Sequence, residues 1–203
     1  MVRSAGGVGL ALVILLGLTG AARASDNASF ESVGAETRAP IGWVDFCNDH
    51  PEDCRGSTTA PRDIVLTATA WRDLLRVNQW VNDNVKPMTD LDHYGVIEKW
   101  AYPVDGYGDC EDYVLQKRKM LVDAGWPEDA LLITVVRDKR GEGHAVLTVE
   151  TDKGDLILDN QNDNVLPWHE TGYRFVKRQS QTDVNVWVLL GDERPAISAV
   201  SAR

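Results

Sequence analysis

Gly108-Asp109-Cys110-Glu111-Asp112-Tyr113 is the stretch on which the reading turns. A turn glycine there hands over to a helical pattern running from Asp109 to about Ala124, which leaves a thiol in the helix's first turn. Unpaired amides and the helix dipole favour a thiolate at that place, and the thiolate is the nucleophilic form of cysteine. Gly143-His144 opens one strand-like run and Asp159 closes the next. A lone cysteine is more often simply a small buried residue. A base and an orienting acid in the same chain make Cys110 a candidate nucleophile, with His144 and Asp159 completing a Cys-His-Asp set.

Upstream of this stretch, Trp71, Leu74, Leu75, Val81 and Val85 recur at helical spacing until Lys86-Pro87 stops the run. Gly125-Trp126-Pro127 ends the second helix. After it the apolar period changes from 3.6 to 2, predicting strands over 131–136, 144–150 and 156–159, then a pair over 172–176 and 184–190. Helices first and antiparallel strands afterwards predict an α+β domain, its N-terminal helices packed on an antiparallel sheet. For His144 and Asp159 to share a face, facing residue numbers must sum to an odd value. A sum near 303 sets them directly opposite, while a tight turn centred on Lys153-Gly154 gives 307 and a stagger of four; the sequence leaves the choice open.

The ends of the chain read differently. Arg3, an apolar run from about Val8 to Leu18, and Ala22-Arg23-Ala24 predict a secretory signal peptide over residues 1–24, the competing reading being a retained anchor. Cleavage there removes two arginines and no acid, taking 21 basic residues to 19 against 31 acids, a net charge of −12. So acidic a surface argues against nucleic acid as a partner. Residues 25–39 read as a flexible polar arm, 40–190 as one domain, and 191–203 as a disordered tail. Export also gives the cysteines meaning: Cys47 and Cys54 enclose a polar, proline-containing loop suited to a disulfide, leaving Cys110 free. Zinc is disfavoured by the absence of Cys-x-x-Cys and of paired Cys/His spacing.

Asp109 and Glu111 flank a nucleophile that must become negative, and like charge opposes that ionisation. A cation resolves the conflict, so Asp109 and Glu111, with Asp112 beside them, are candidate calcium ligands. The competing roles are an N-cap for Asp109 and a dipole partner for Glu111. The string Thr89-Asp90, His93-Tyr94-Gly95, Trp100, Pro103, Gly106 to Tyr113, Lys117-Arg118, Gly143 to Leu147 and Leu158-Asp159-Asn160 resembles the bacterial transglutaminase-like cysteine proteinases. That resemblance implies a papain-like, transglutaminase-like fold, a Cys110-His144-Asp159 triad and calcium dependence. It further implies a periplasmic endopeptidase that cuts a large repeat-containing adhesin at a di-alanine site near its N-terminus and so controls biofilm attachment. An inner-membrane receptor for cyclic-di-GMP is implied as the inhibitory partner. The Cys110 backbone amide would serve as one oxyanion donor, with the Trp100 indole a weaker second candidate against a core role. Two other classes stay open, a transglutaminase or other acyltransferase using the same triad and a non-catalytic calcium-binding interaction module.

Overall fold

A computed structural model describes residues 1, 30–56 and 60–191. The regions read as signal peptide and as tail lie outside the described residues, apart from Met1 and Gly191. The elements run β1 (Val33–Thr37), α1 (Ile41–Asp49), α2 (Ala68–Asn84), β2 (Lys86–Pro87), α3 (Asp90–Tyr94), β3 (Tyr107–Gly108) and α4 (Cys110–Asp123). There follow β4 (Leu131–Arg137), β5 (Gly143–Thr151), β6 (Gly154–Leu158), β7 (Leu166–Pro167), β8 (Arg174–Gln179) and β9 (Trp187–Leu190). The seven-stranded sheet has the order β1-β9-β8-β4-β5-β6-β7, each neighbouring pair antiparallel.

Residues 33–37 are a correction to the flexible arm: they form β1, an edge strand paired with β9 at the far end of the chain. The backbone ladder orders a segment whose side chains are mostly exposed, which is why no alternating apolar pattern betrayed it.

Trp43 and Phe46 of α1, Leu74 and Val77 of α2, and Val114, Leu115 and Leu121 of α4 pack on one face of the sheet. They meet Leu131, Ile133, Leu147, Val149, Leu158 and Trp187 there. A second cluster, with Val136, Val146, Ile157, Tyr173 and Phe175, covers the other face. Burying each large apolar side chain stabilises the fold by about 1.5–3 kcal/mol, so the helices are held chiefly by this packing.

Local chemistry sets the helix ends. The Thr67 hydroxyl caps α2 by accepting from the Ala70 N–H at 3.1 Å. At the end of α4, Gly125 adopts φ +88°, and the Gly125 and Trp126 amides donate to the Val122 and Leu121 carbonyls. This Schellman closure needs a residue free to enter the left-handed region. Cys47 and Cys54 form a disulfide and Cys110 is free, as their spacing and context predict.

Candidate active site

Cys110 enters the site as the first residue of α4, partly buried, its sulfur accepting from the Ala145 backbone N–H. The thiol therefore lies beside the strand residue that follows His144. The β5–β6 hairpin has Leu147 opposite Leu158 and Thr151 opposite Gly154, a register sum of 305. Parity is preserved through a turn at Asp152-Lys153, and His144 and Asp159 are staggered by two. Asp159 sits just beyond the last paired residue of β6, and its Oδ1 lies 2.8 Å from His144 Nε2, both residues being 4% exposed.

Asp159 is the most heavily supported side chain in the site. Tyr173 donates its hydroxyl to Oδ2 at 2.6 Å and the Gln161 N–H donates to Oδ1 at 2.9 Å. Burial alone would raise this carboxyl, but bonds from His144, Tyr173 and Gln161 outweigh it and hold Asp159 below its ordinary value. Helix α2 fixes the backbone: the Asp159 N–H donates to Asn78 Oδ1 at 3.1 Å, and Asn82 Nδ2 donates to the Asp159 carbonyl at 3.0 Å. Asn78, fully buried, also donates to the carbonyls of Asn162 and Asp163. With Nε2 committed to Asp159, His144 Nδ1 remains to take a proton, and the Gln161 side-chain amide stands 3.4 Å from it.

Asp109 occupies the N-cap position of α4 yet makes no side-chain capping bond. Its carboxylate instead faces the Asp90 N–H and Glu111, and its Oδ1 is buried without a hydrogen-bond partner among the described residues. Asp90, Asp109 and Asp112 each bring a carboxylate oxygen within 4.8 Å of the others. Asp112 accepts from the Ala101 N–H at 2.7 Å through Oδ1, while its Oδ2 is a second buried oxygen with no hydrogen-bond partner among the described residues. Gly108 makes room for this carboxylate, since a Cβ at that position would lie 2.6 Å from Asp112 Oδ2. Glu111 turns to the nucleophile: the Cys110 thiol donates to its Oε2 at 3.1 Å.

The electrostatics are those of crowded, buried acids. Burial, then the charge of Asp109, pushes Glu111 up to about 9. Burial pushes Asp112 up to about 8 against the bond from Ala101, with Asp109 and Asp90 adding to the rise. Asp90 and Asp109 are raised by burial as well. Burial, with Glu111 beside it, also lifts the Cys110 thiol well above its ordinary range. Oxygen atoms left without donors among like charges fit a bound calcium ion.

Of the predicted residues, His144 and Asp159 pair directly, Cys110 lies against the backbone of Ala145 with its thiol on Glu111, and Asp109 and Asp112 join in one cluster without Glu111. Asp90 completes that cluster from nineteen residues before Asp109, where no spacing rule pointed to it. Tyr173, Gln161, Asn78 and Asn82 were not legible as parts of the site. Trp100 takes its alternative core role: its indole N–H is committed to Glu98 at 2.8 Å, and its ring packs edge-on against Trp43 and Trp187. His93, outside the predicted triad, pairs with Asp105 at 2.8 Å and ties together the loop before α4.

The family model for bacterial transglutaminase-like cysteine proteinases matches residues 33–195. Among solved structures, calcium-bound LapG of Legionella pneumophila is similar at 26% identity, over 64% of this chain and 74% of that one, with a TM-score of 0.50. A further structure of that LapG aligns at 28% identity over 58% of this chain and 66% of the other, TM-score 0.49. The EGTA-treated form aligns at 28% identity over 60% and 70%, TM-score 0.49. No curated protein matches the chain significantly.

Proposed function

We propose, because the chain belongs to the bacterial transglutaminase-like cysteine proteinases, that it is a calcium-dependent endopeptidase of the periplasm. Its substrate in this reading is a large repeat-containing adhesin, cut at a di-alanine site near the N-terminus to release the cell from a biofilm. An inner-membrane cyclic-di-GMP receptor is its inhibitory partner. As a member of the family it is a cysteine protease with a transglutaminase-like fold. The observation that carries the catalytic assignment is the His144–Asp159 pair at 2.8 Å beside a free thiol at a helix start.

The chemistry follows from these groups. His144 Nδ1 takes the thiol proton as the Cys110 sulfur attacks the peptide carbonyl carbon, and Asp159 stabilises the imidazolium that results. The carbonyl oxygen becomes negative next to the Cys110 backbone amide, one of the unpaired donors of the helix start. His144 then returns the proton to the leaving amine as the C–N bond breaks, giving a thioester on Cys110. Water, deprotonated by His144, hydrolyses that thioester and restores the thiol.

Asp90, Asp109 and Asp112 are the residues that would hold calcium, with Glu111 facing Asp109 beside them. When bound, the ion would supply positive charge against these acids and so offset the like charge that, together with burial, keeps the neighbouring thiol neutral. The similar LapG of Legionella pneumophila has a calcium-bound form, which supports a calcium site in this chain.

The test is incubation of the mature protein with an adhesin fragment containing the di-alanine site, with calcium and with EGTA. Calcium-dependent cleavage supports the proposal. Cross-linking of the fragment to an amine indicates an acyltransferase, and neither reaction indicates a binding module.

A further inference from the structure

The atom of His144 that must receive the thiol proton is already engaged. The Asp159 carboxylate lies against Nε2 at 2.8 Å, so the ring proton sits on Nε2 and Nδ1 presents a lone pair. The side-chain amide nitrogen of Gln161 faces that lone pair at 3.4 Å, the long end of a hydrogen bond. A bare ring nitrogen can only accept, so it takes the N–H end of the amide. The thiol, for its part, donates to Glu111 Oε2 at 3.1 Å. Nucleophile and base are thus each turned to a different neighbour. Local structure puts the amide there. The Gln161 backbone N–H donates to Asp159 Oδ1 at 2.9 Å, closing an Asx turn just past β6. Buried Asn78 of α2 donates to the next two carbonyls, those of Asn162 and Asp163, at 3.1 and 3.0 Å. The backbone is therefore fastened on both sides of Gln161, while the residue itself is exposed. A fixed root and an exposed tip let the amide meet the ring or swing into water on the timescale of surface rotamers.

Resting on the triad reading above, we propose that Gln161 is a positioning residue that caps the general base: its amide donates to His144 Nδ1 in the resting enzyme and yields that place to the Cys110 thiol. The lone pair can serve one donor at a time. When the thiol turns from Glu111 to the ring, the amide swings out and is hydrated, the S–H bond breaks and an N–H bond forms at Nδ1. Until then the cap favours the neutral ring, because its N–H has a lone pair to meet only in that form. Two contacts therefore restrain the same proton transfer, Glu111 on the sulfur and Gln161 on the nitrogen. A neutral hydrogen bond of this length is weak, so the cap slows the transfer by about two- to fivefold and does not block it.

The inference is tested with Gln161→Leu, which removes the amide and keeps the backbone N–H that bonds Asp159. With calcium present, alkylation of Cys110 by iodoacetamide should be about two- to fivefold faster than in the parent. A second readout needs no thiol. In Cys110→Ala protein with 15N-labelled histidine, at a pH where the ring is neutral, adding Gln161→Leu should move the His144 Nδ1 resonance to that of a free ring nitrogen. Gln161→Glu should move it the other way, since a carboxylate cannot donate and instead favours a proton on Nδ1. An alkylation rate at or below the parent's in Gln161→Leu, or an Nδ1 resonance that neither variant moves, overturns the inference. Alkylation unchanged in His144→Ala would refute the triad itself. Slowed alkylation there, with the parent's rate in Gln161→Leu, would refute only the role of Gln161.

Discussion

Tyr173→Phe removes one oxygen from the site and leaves the ring packing in place. That hydroxyl donates to the buried Asp159 carboxylate at 2.6 Å, while the ring lies edge-on to His144 with centroids 5.8 Å apart. A hydrogen bond to a charged group contributes about 1.5–3 kcal/mol. Asp159 retains His144 and the Gln161 N–H as donors, so the loss should fall at the lower end, about 1.5–2 kcal/mol. Tyr113→Phe is the matched control, since its hydroxyl, also buried, donates at 2.6 Å to the neutral Val85 carbonyl and should be worth about 0.5–1.5 kcal/mol. The two differ in pH dependence. Asp159 is held below its ordinary value, so its contribution is present above the ordinary carboxylate range and is lost as pH falls through the folded value. Urea unfolding at pH 7 and near the acid end should therefore show the Tyr173→Phe loss shrinking while the Tyr113→Phe loss persists. In kinetics, Tyr173→Phe should lower kcat/KM about tenfold, or about 1.4 kcal/mol, and Tyr113→Phe should leave it unchanged. Equal stability losses at both pH values, with full activity in Tyr173→Phe, would refute the claim that Tyr173 positions the triad acid.

In metal-free protein, Glu111 and Asp112 are held up to about 9 and about 8. The native state then keeps protons that the unfolded chain has already released, so stability falls as pH rises toward that window, and calcium should reverse the fall by displacing them. Melting temperatures with EGTA and with calcium check this, and a calcium increment that does not grow with pH contradicts it. Gly108→Ala places a Cβ 2.6 Å from Asp112 Oδ2, so calorimetry should find calcium affinity weakened about tenfold or more; unchanged affinity would remove Asp112 from the ligand set. Reducing Cys47–Cys54 should cost about 2–3 kcal/mol on the chain-entropy estimate, lowering the melting temperature while folded protein remains active. Inactivation that precedes unfolding would assign the bridge a role in the site.

The parts of the site that the sequence revealed are those governed by local rules. A glycine before a helical pattern located the thiol, and the period-2 parity of the hairpin allowed His144 and Asp159 a common face while leaving their separation open. The register itself, 305 rather than 303 or 307, depends on a turn at Asp152-Lys153 that Gly154 obscured by suggesting a centre one residue later. Asp90 reaches the acid cluster only because the loop from α3 folds back to give its Lys99 and Ala101 amides to Asp90 and Asp112. No periodicity encodes such a return. Asn78 and Asn82 looked like ordinary polar residues of an amphipathic helix, yet their amides fasten the Asp159 backbone. The β1–β9 pairing joins the two ends of the domain and is likewise invisible to a local window.

The most direct test of the central claim is covalent labelling by a di-alanine peptide carrying an electrophilic carbon in place of the scissile carbonyl, followed by peptide mapping. With calcium present, the adduct should be on Cys110 alone, and it should disappear in EGTA and be strongly slowed in His144→Ala. An adduct on any other residue, or full labelling of Cys110 in calcium-free protein and in His144→Ala alike, would contradict the account.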